Sequence, residues 1–131
     1  MCVRDLLLTF VLVACTPARV LTSEKVVAFT RALSAAYDEI SVAGLGGRID
    51  ANEMMNRQSN ALSRLKSEIG LDTEDVNAID ASAHVVWDPS PAKIDDTRTQ
   101  ALNASKPALA EYAEHQRHFY SALSTTAAAR P

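Results

Sequence analysis

The chain has 131 residues, 47% of them apolar and 22% charged, with a net charge of −3. That length fits one domain of the usual size, roughly 100 to 150 residues, and leaves no room for two. Basic and acidic side chains are interspersed, so the chain lacks the cationic field that neutralising a phosphate backbone requires, and nucleic acid is not an expected partner. Aromatic residues make up only 5%, so the core is expected to consist of small and aliphatic side chains, which suit closely packed helices.

Near the N-terminus, Arg4 precedes the run Leu6-Leu7-Leu8-Thr9-Phe10-Val11-Leu12-Val13-Ala14, which ends at Cys15, Thr16 and Pro17. A membrane-spanning helix needs about 20 apolar residues. This run has about half that and reads as the apolar region of a cleaved export signal. Taken alone, the same residues also fit a plain cleaved signal or an amphipathic N-terminal helix in which Cys15 is an ordinary small residue.

The tetrad Leu12-Val13-Ala14-Cys15 resembles the lipobox of bacterial lipoprotein precursors at every position. The resemblance implies that Cys15 receives diacylglycerol, that signal peptidase II cuts between Ala14 and Cys15, and that the new amine is acylated. One acyl chain holds a protein only marginally, whereas two or more anchor it stably. In lipoproteins an Asp after the modified cysteine favours the inner membrane. Thr16 occupies that position here, so the implied address is the cell envelope, lipid-anchored at the outer membrane and facing the periplasm. The covalent lipid on Cys15 is the only attached group expected, and no cofactor is. Cys2 would leave with the signal, residues 1–14, so neither a disulfide nor a cysteine metal site is expected in the mature chain. Residues 15–21 form a tether whose last six residues reach roughly 20 Å when fully extended, which would keep the folded body close to the bilayer.

Beyond the tether the pattern is helical, with repeated start and stop signals. Val26, Phe29, Leu33, Ala36, Ile40 and Ala43 recur at spacings of three and four, with Thr22 as N-cap and Leu21 and Val26 as a hydrophobic staple. Gly44, Gly46 and Gly47 supply the stop and, with neither a preceding strand nor a following Lys, do not read as a phosphate cradle. A second helix opens at Asp50 and Glu53 as a capping box, with Ile49 and Met54 as staple. It carries the stripe Met55, Leu62, Leu65 and Ile69 with Ala51 and Gln58 in register, and it closes at Gly70. A third is capped by Asp72, stapled by Leu71 and Val76, and buries Val76, Ile79, Ala83 and Val86.

Asp88-Pro89-Ser90-Pro91 then breaks the chain. Ser90 can cap a last helix with Pro91 at its first position. Leu102, Ser105, Leu109, Tyr112, Gln116, Phe119 and Leu123 hold one register across Pro107, which argues for one kinked helix, although Ser105 offers a cap for a restarted one. The Asp95-Asp96 pair fits helix-end electrostatics better than acid–base chemistry. From Ser124 onward the stripe is lost and the end is expected to fray. The expected fold is therefore all-α, a small antiparallel bundle of about four helices over residues 22–125, with a frayed tail at 126–131.

Candidate chemistry is confined to the last helix, where Glu111, Glu114, His115 and His118 fall three and four residues apart, close enough on one flank to offer two imidazoles and a carboxylate to zinc or copper. Neither the Glu-x-x-His pattern of di-iron bundles nor the His-Glu-x-x-His of zinc proteases occurs, and a solvated face of paired charges explains the same residues. His84 sits near the end of the third helix, where such a residue is usually satisfied locally. Trp87 follows it and either plugs the bundle end or presents an aromatic anchor to a partner. Tyr37 and Tyr120 read as core-edge residues. Together these features indicate a membrane-anchored periplasmic protein that acts without catalysis, by interaction or as an assembly accessory, with another envelope protein as its partner. The alternative is a metal- or small-ligand-binding lipoprotein that uses the Glu111/Glu114/His115/His118 cluster.

Overall fold

Four helices begin where an acceptor side chain meets otherwise orphaned amides. The computed structural model describes residues 20–83 and 95–129. These form α1 (Ser23–Leu45), α2 (Ala51–Ile69), α3 (Thr73–Ala83), α4 (Asp96–Asn103) and α5 (Lys106–Ala128). Thr22 Oγ1 accepts from the Lys25 amide at 3.2 Å, and Asp50 Oδ1 accepts from the Glu53 amide at 2.8 Å. Asp72 and Asp75 cap reciprocally, each carboxylate accepting from the other's amide at 2.7 and 3.2 Å. These caps, and the buried Leu21, Val26, Leu71 and Val76, match the expected starts. Among the described residues no helix is long and apolar enough to cross a membrane.

The first stop is a Schellman turn centred on one glycine. Arg48 donates to Ala43 O at 2.9 Å and Gly47 to Gly44 O at 3.1 Å, with Gly47 at φ 77°. Gly70 ends α2 in the same left-handed region, at φ 86°. Gly44 has a different job from the expected one. It lies inside α1, buried, and its missing side chain makes room for Met54. A Cβ there would collide with Met54 Sδ and lie 2.8 Å from Cε. Gly44→Ala should therefore lose about 1 kcal/mol net, since overpacking costs about 1–3 kcal/mol and the gain in helix propensity returns about 1 kcal/mol. The check is the urea midpoint. A rise in that midpoint would show that Met54 swings aside freely.

Met54 also corrects the expected stripe of α2. It is fully buried with Ala61 and Leu65, whereas Met55 is 41% exposed. The stripe is displaced by one residue at its start because Met54 is drawn over the gap at Gly44. α1 in turn buries two stripes. Beside Val26, Phe29, Leu33 and Ile40, a second line of Thr30, Ser34, Tyr37, Ser41 and Gly44 is buried. Thr30 and Ser41 satisfy their hydroxyls on their own helix, at Val26 O (2.8 Å) and Tyr37 O (2.7 Å), as buried hydroxyls in helices do. Tyr37 thus lies in the core centre, not at its edge. Tyr120 is half-buried against the core, as expected.

The structure is all-α, with five packed helices among the described residues where about four were expected. The expected continuous last helix is broken at both ends of α4. Asp95 has extended backbone and caps α4 through the Arg98 amide at 3.0 Å, so α4 starts anew at Asp96, while Ser90 and Pro91 lie outside the described residues. At the other end, Ser105 turns its hydroxyl back to Ala101 O at 2.8 Å and its amide to Leu102 O at 3.0 Å. Pro107 has no amide to continue the ladder and falls in the first turn of α5. The chain restarts at Ser105, although that side chain caps nothing in α5. The stripe from Leu102 to Phe119 is buried despite the break. The expected fraying from Ser124 is also corrected, because α5 continues to Ala128 with Thr126 buried.

An antiparallel arrangement holds for α1 and α2, where Gly44 meets Met54, Tyr37 meets Gln58 and Lys25 approaches Gly70. It fails for α1 and α5, which form the most extensive interface and run in the same direction. Thr30 and Arg31 meet Ala108, Asp38 meets His115, and Leu45 meets Thr125 and Ala129. The reason lies at α3, whose start receives Arg98 of α4 while its later Asp80 receives Tyr112 of α5. The chain therefore re-enters beside the start of α3 and proceeds in the same sense as α3, where a simple reversal would have set α5 against α1.

Candidate functional site

The centre of the bundle holds a chain of polar groups drawn from four helices. Gln58 of α2 donates to Tyr37 OH of α1 at 3.4 Å. Gln116 of α5 donates to Tyr37 OH at 3.2 Å and to Tyr112 OH at 2.9 Å. Tyr112 donates in turn to Asp80 Oδ1 of α3 at 2.7 Å. The rings that carry these hydroxyls are packed by Phe119, stacked on Tyr37 at 4.7 Å, and by Phe29, tilted against Tyr112 at 6.4 Å.

Burial dominates the electrostatics of this network. It pushes the Asp80 carboxyl up to about 6, although the Tyr112 hydrogen bond pulls the other way. It also raises Tyr112 well above the usual phenol range, with the nearby Tyr37 and Asp80 adding to the effect, and raises Tyr37. Gln116 Oε1 is buried without a donor, a costly condition for an amide oxygen. A network that is satisfied at one end and incomplete at another is where a small bundle stores polar strain.

The expected Glu/His cluster on α5 is not brought together. His115 turns across to α1, its Nδ1 2.8 Å from Asp38 Oδ1. Glu114 pairs with Arg117, which holds its carboxyl below the usual range, and Glu111 and His118 are exposed. No group of three or more His, Cys, Asp or Glu among the described residues is arranged to hold a metal ion. The physical reason is that α5 shares the Glu111–His115 flank with α1, so His115 finds its carboxylate on that helix. Ala14, Cys15, His84, Val86 and Trp87 lie outside the described residues.

Two features were missed at the level of sequence. Arg98 reaches Asp75 Oδ1 through Nε at 2.7 Å, with Asp72 and Asp95 at 3.4 Å and Glu74 at 3.7 Å. This cluster raises the guanidinium further above its ordinary value, chiefly through Asp75. At the far end of α1, Gly44, Leu45, Ile49, Thr125 and Ala129 border an open groove of about 350 Å³, and Val42 and Leu45 nearby are exposed apolar side chains.

Compared with known proteins, the chain matches no family model, and no curated protein or solved structure is significantly similar to it.

Proposed function

We propose that this chain is a lipid-anchored protein of the bacterial cell envelope whose helical body acts as a non-catalytic interaction or assembly-accessory module. The observation that carries the proposal is the tetrad Leu12-Val13-Ala14-Cys15, lying just ahead of a helical domain whose first buried residue is Leu21. Acylation of Cys15 would tether the start of α1 to a bilayer. The groove lined by Leu45 and Ile49 lies at the other end of α1, about 34 Å away at 1.5 Å per residue. An apolar tip beside a groove suits capture of an apolar segment from another envelope protein better than chemistry on a small molecule.

The test is Cys15→Ser, followed by detergent phase partitioning and intact mass. The unaltered chain is expected to partition with detergent and to carry diacylglycerol and an amide-linked acyl chain on a new N-terminal Cys15. The variant is expected to keep its leader uncut and to carry no lipid mass. An unmodified thiol on the native protein, or the same processing of the variant as of the unaltered chain, would refute the anchor.

A further inference from the structure

Between the parallel helices α1 and α5, away from the groove at their ends, lies an open cleft of about 200 Å³. Arg31, Ser34 and Asp38 border it from α1, and Ala108, Glu111 and His115 from α5. Ser34 distinguishes it from a mere gap between helices. The other buried hydroxyls of α1, Thr30 and Ser41, turn back to carbonyls of their own helix. The Ser34 hydroxyl makes no hydrogen bond among the described residues, and it is not sealed in as Thr126 Oγ1 is. Ser34 is 7% exposed and borders the cleft, so the surface it keeps is turned to that space. A hydroxyl held at the floor of a cleft with its bonding capacity unspent is available to a ligand.

The charges are ordered by sign along the cleft. Arg31 stands at the end beside Ala108. At the other end His115 Nδ1 lies 2.8 Å from Asp38 Oδ1 and fixes that carboxylate through one oxygen. Because the helices are parallel, Glu111 falls between these two levels, opposite Ser34. Arg31 and Glu111 are both exposed, and neither closes an ion pair with another described residue. No three acidic or imidazole groups among the described residues are arranged for a metal ion, and a guanidinium at one end calls for an anionic group on the ligand.

We propose that this cleft binds a small zwitterion, a free α-amino acid with a short side chain. Its carboxylate is taken by the Arg31 guanidinium and the Ser34 hydroxyl. Its ammonium is taken by Glu111 and by the Asp38 oxygen that His115 leaves unused. The spacing suits both charges at once. Arg31 and Asp38 lie about 10 Å apart along α1 at 1.5 Å per residue. Two charge-assisted contacts of about 2.8 Å, added to the roughly 3 Å between the ammonium and carboxylate of an α-amino acid, nearly span that distance. A lone anion would leave the two carboxylates unanswered, and a lone cation would leave Arg31 so. The volume is below the roughly 300–1,000 Å³ of drug-sized sites, which restricts the ligand to a short side chain. The site depends neither on Cys15 nor on the groove at the helix ends.

The experiment is an amide NMR titration of the full-length protein in detergent with alanine, at fixed pH and ionic strength, with acetate and methylamine as the two half-molecules. Alanine is expected to shift amides over 30–38 and 108–115 along one saturable curve, with a Kd of about 1 mM or tighter. Each half-molecule should bind about tenfold more weakly or worse, the usual loss with one contact between charged groups. Arg31→Gln and Glu111→Gln should each weaken alanine by about tenfold, and Ser34→Ala by about threefold, as for a neutral hydrogen bond. Both charged side chains are exposed, so their replacement is expected to leave the fold intact, and the three ligands on the unaltered protein are decisive even if a variant fails to fold. Shifts that do not saturate, or that centre outside these two segments, would overturn the site. So would acetate or methylamine binding as tightly as alanine, or an alanine affinity unchanged in both charge variants.

Discussion

Replacing Arg98 with Met should destabilise the protein by about 3–5 kcal/mol, the usual result of stripping one partner from a buried ion pair. The Arg98 side chain is 12% exposed and that of Asp75 only 3%, so their 2.7 Å contact is screened far less than the arms to Asp72, Glu74 and Asp95, which are 44% to 62% exposed. Surface arms of that kind contribute about 0–1 kcal/mol each, so nearly all of the loss comes from leaving Asp75 charged, buried and short of donors. What remains to it is the Asp72 amide at 3.2 Å.

Two comparisons test this assignment. Arg98→Met combined with Asp75→Asn should recover more than half of the loss, because a removed pair costs far less than a broken one. Arg98→Lys should be intermediate, since an ammonium cannot span Asp75 and Asp72 as the planar guanidinium does. Urea unfolding of the three variants supplies the numbers. A single variant within about 1 kcal/mol of wild type would mean that α4 is held to α3 by packing of Ala101 and Leu102 instead.

The helices themselves were legible because caps, glycines and apolar spacing are local signals. Thr22, Asp50 and Asp72 each announce a start within three residues of the amide they satisfy, and Gly47 and Gly70 mark conformations that other residues rarely adopt. Helix direction and face selection are not local. Met54 replaced Met55 in the stripe because of the gap at Gly44, on a different helix. Tyr37 moved to the core centre because α1 is covered on two sides, whereas a stripe analysis assumes one. The parallel course of α1 and α5 depends on where the chain re-enters beside α3, which no cap or spacing within either helix announces.

The polar core left a fainter trace. Gln58 and Gln116 both stand in register with apolar residues, and Asp80 follows Ile79 and lies four after Val76, on the flank of a buried face. Polar residues at apolar positions of three helices are a signal of a buried network, but only the fold shows that they meet. The Glu111–His115 spacing gave the opposite error, since an i,i+4 pair is favourable in isolation and yielded here to Asp38 on a neighbouring helix.

Phe119→Ala is expected to have the second large effect, a loss of about 4 kcal/mol, within the range for truncating a buried phenylalanine. Phe119 is fully buried at the α1–α5 interface, stacked on Tyr37 at 4.7 Å and edge-on to Tyr120 at 5.0 Å. The cavity would open directly beside the polar chain, so collapse of Tyr37 into it would draw its hydroxyl away from Gln58 and Gln116 and leave Gln116 with Tyr112 alone. Phe119→Leu separates the two contributions. It keeps most of the volume and should cost about 1–1.5 kcal/mol, as near-isosteric swaps do, with Tyr37 held in place. If water and not the Tyr37 ring fills the Phe119→Ala cavity, a tyrosine should titrate lower than in wild type by ultraviolet difference spectroscopy, because water relieves the burial that raises Tyr37. If Phe119→Ala lost stability with the tyrosine titration unchanged, the cavity would be closing around Tyr37 without wetting it. The polar chain would then be held by its own hydrogen bonds and not by the aromatic wall beside it.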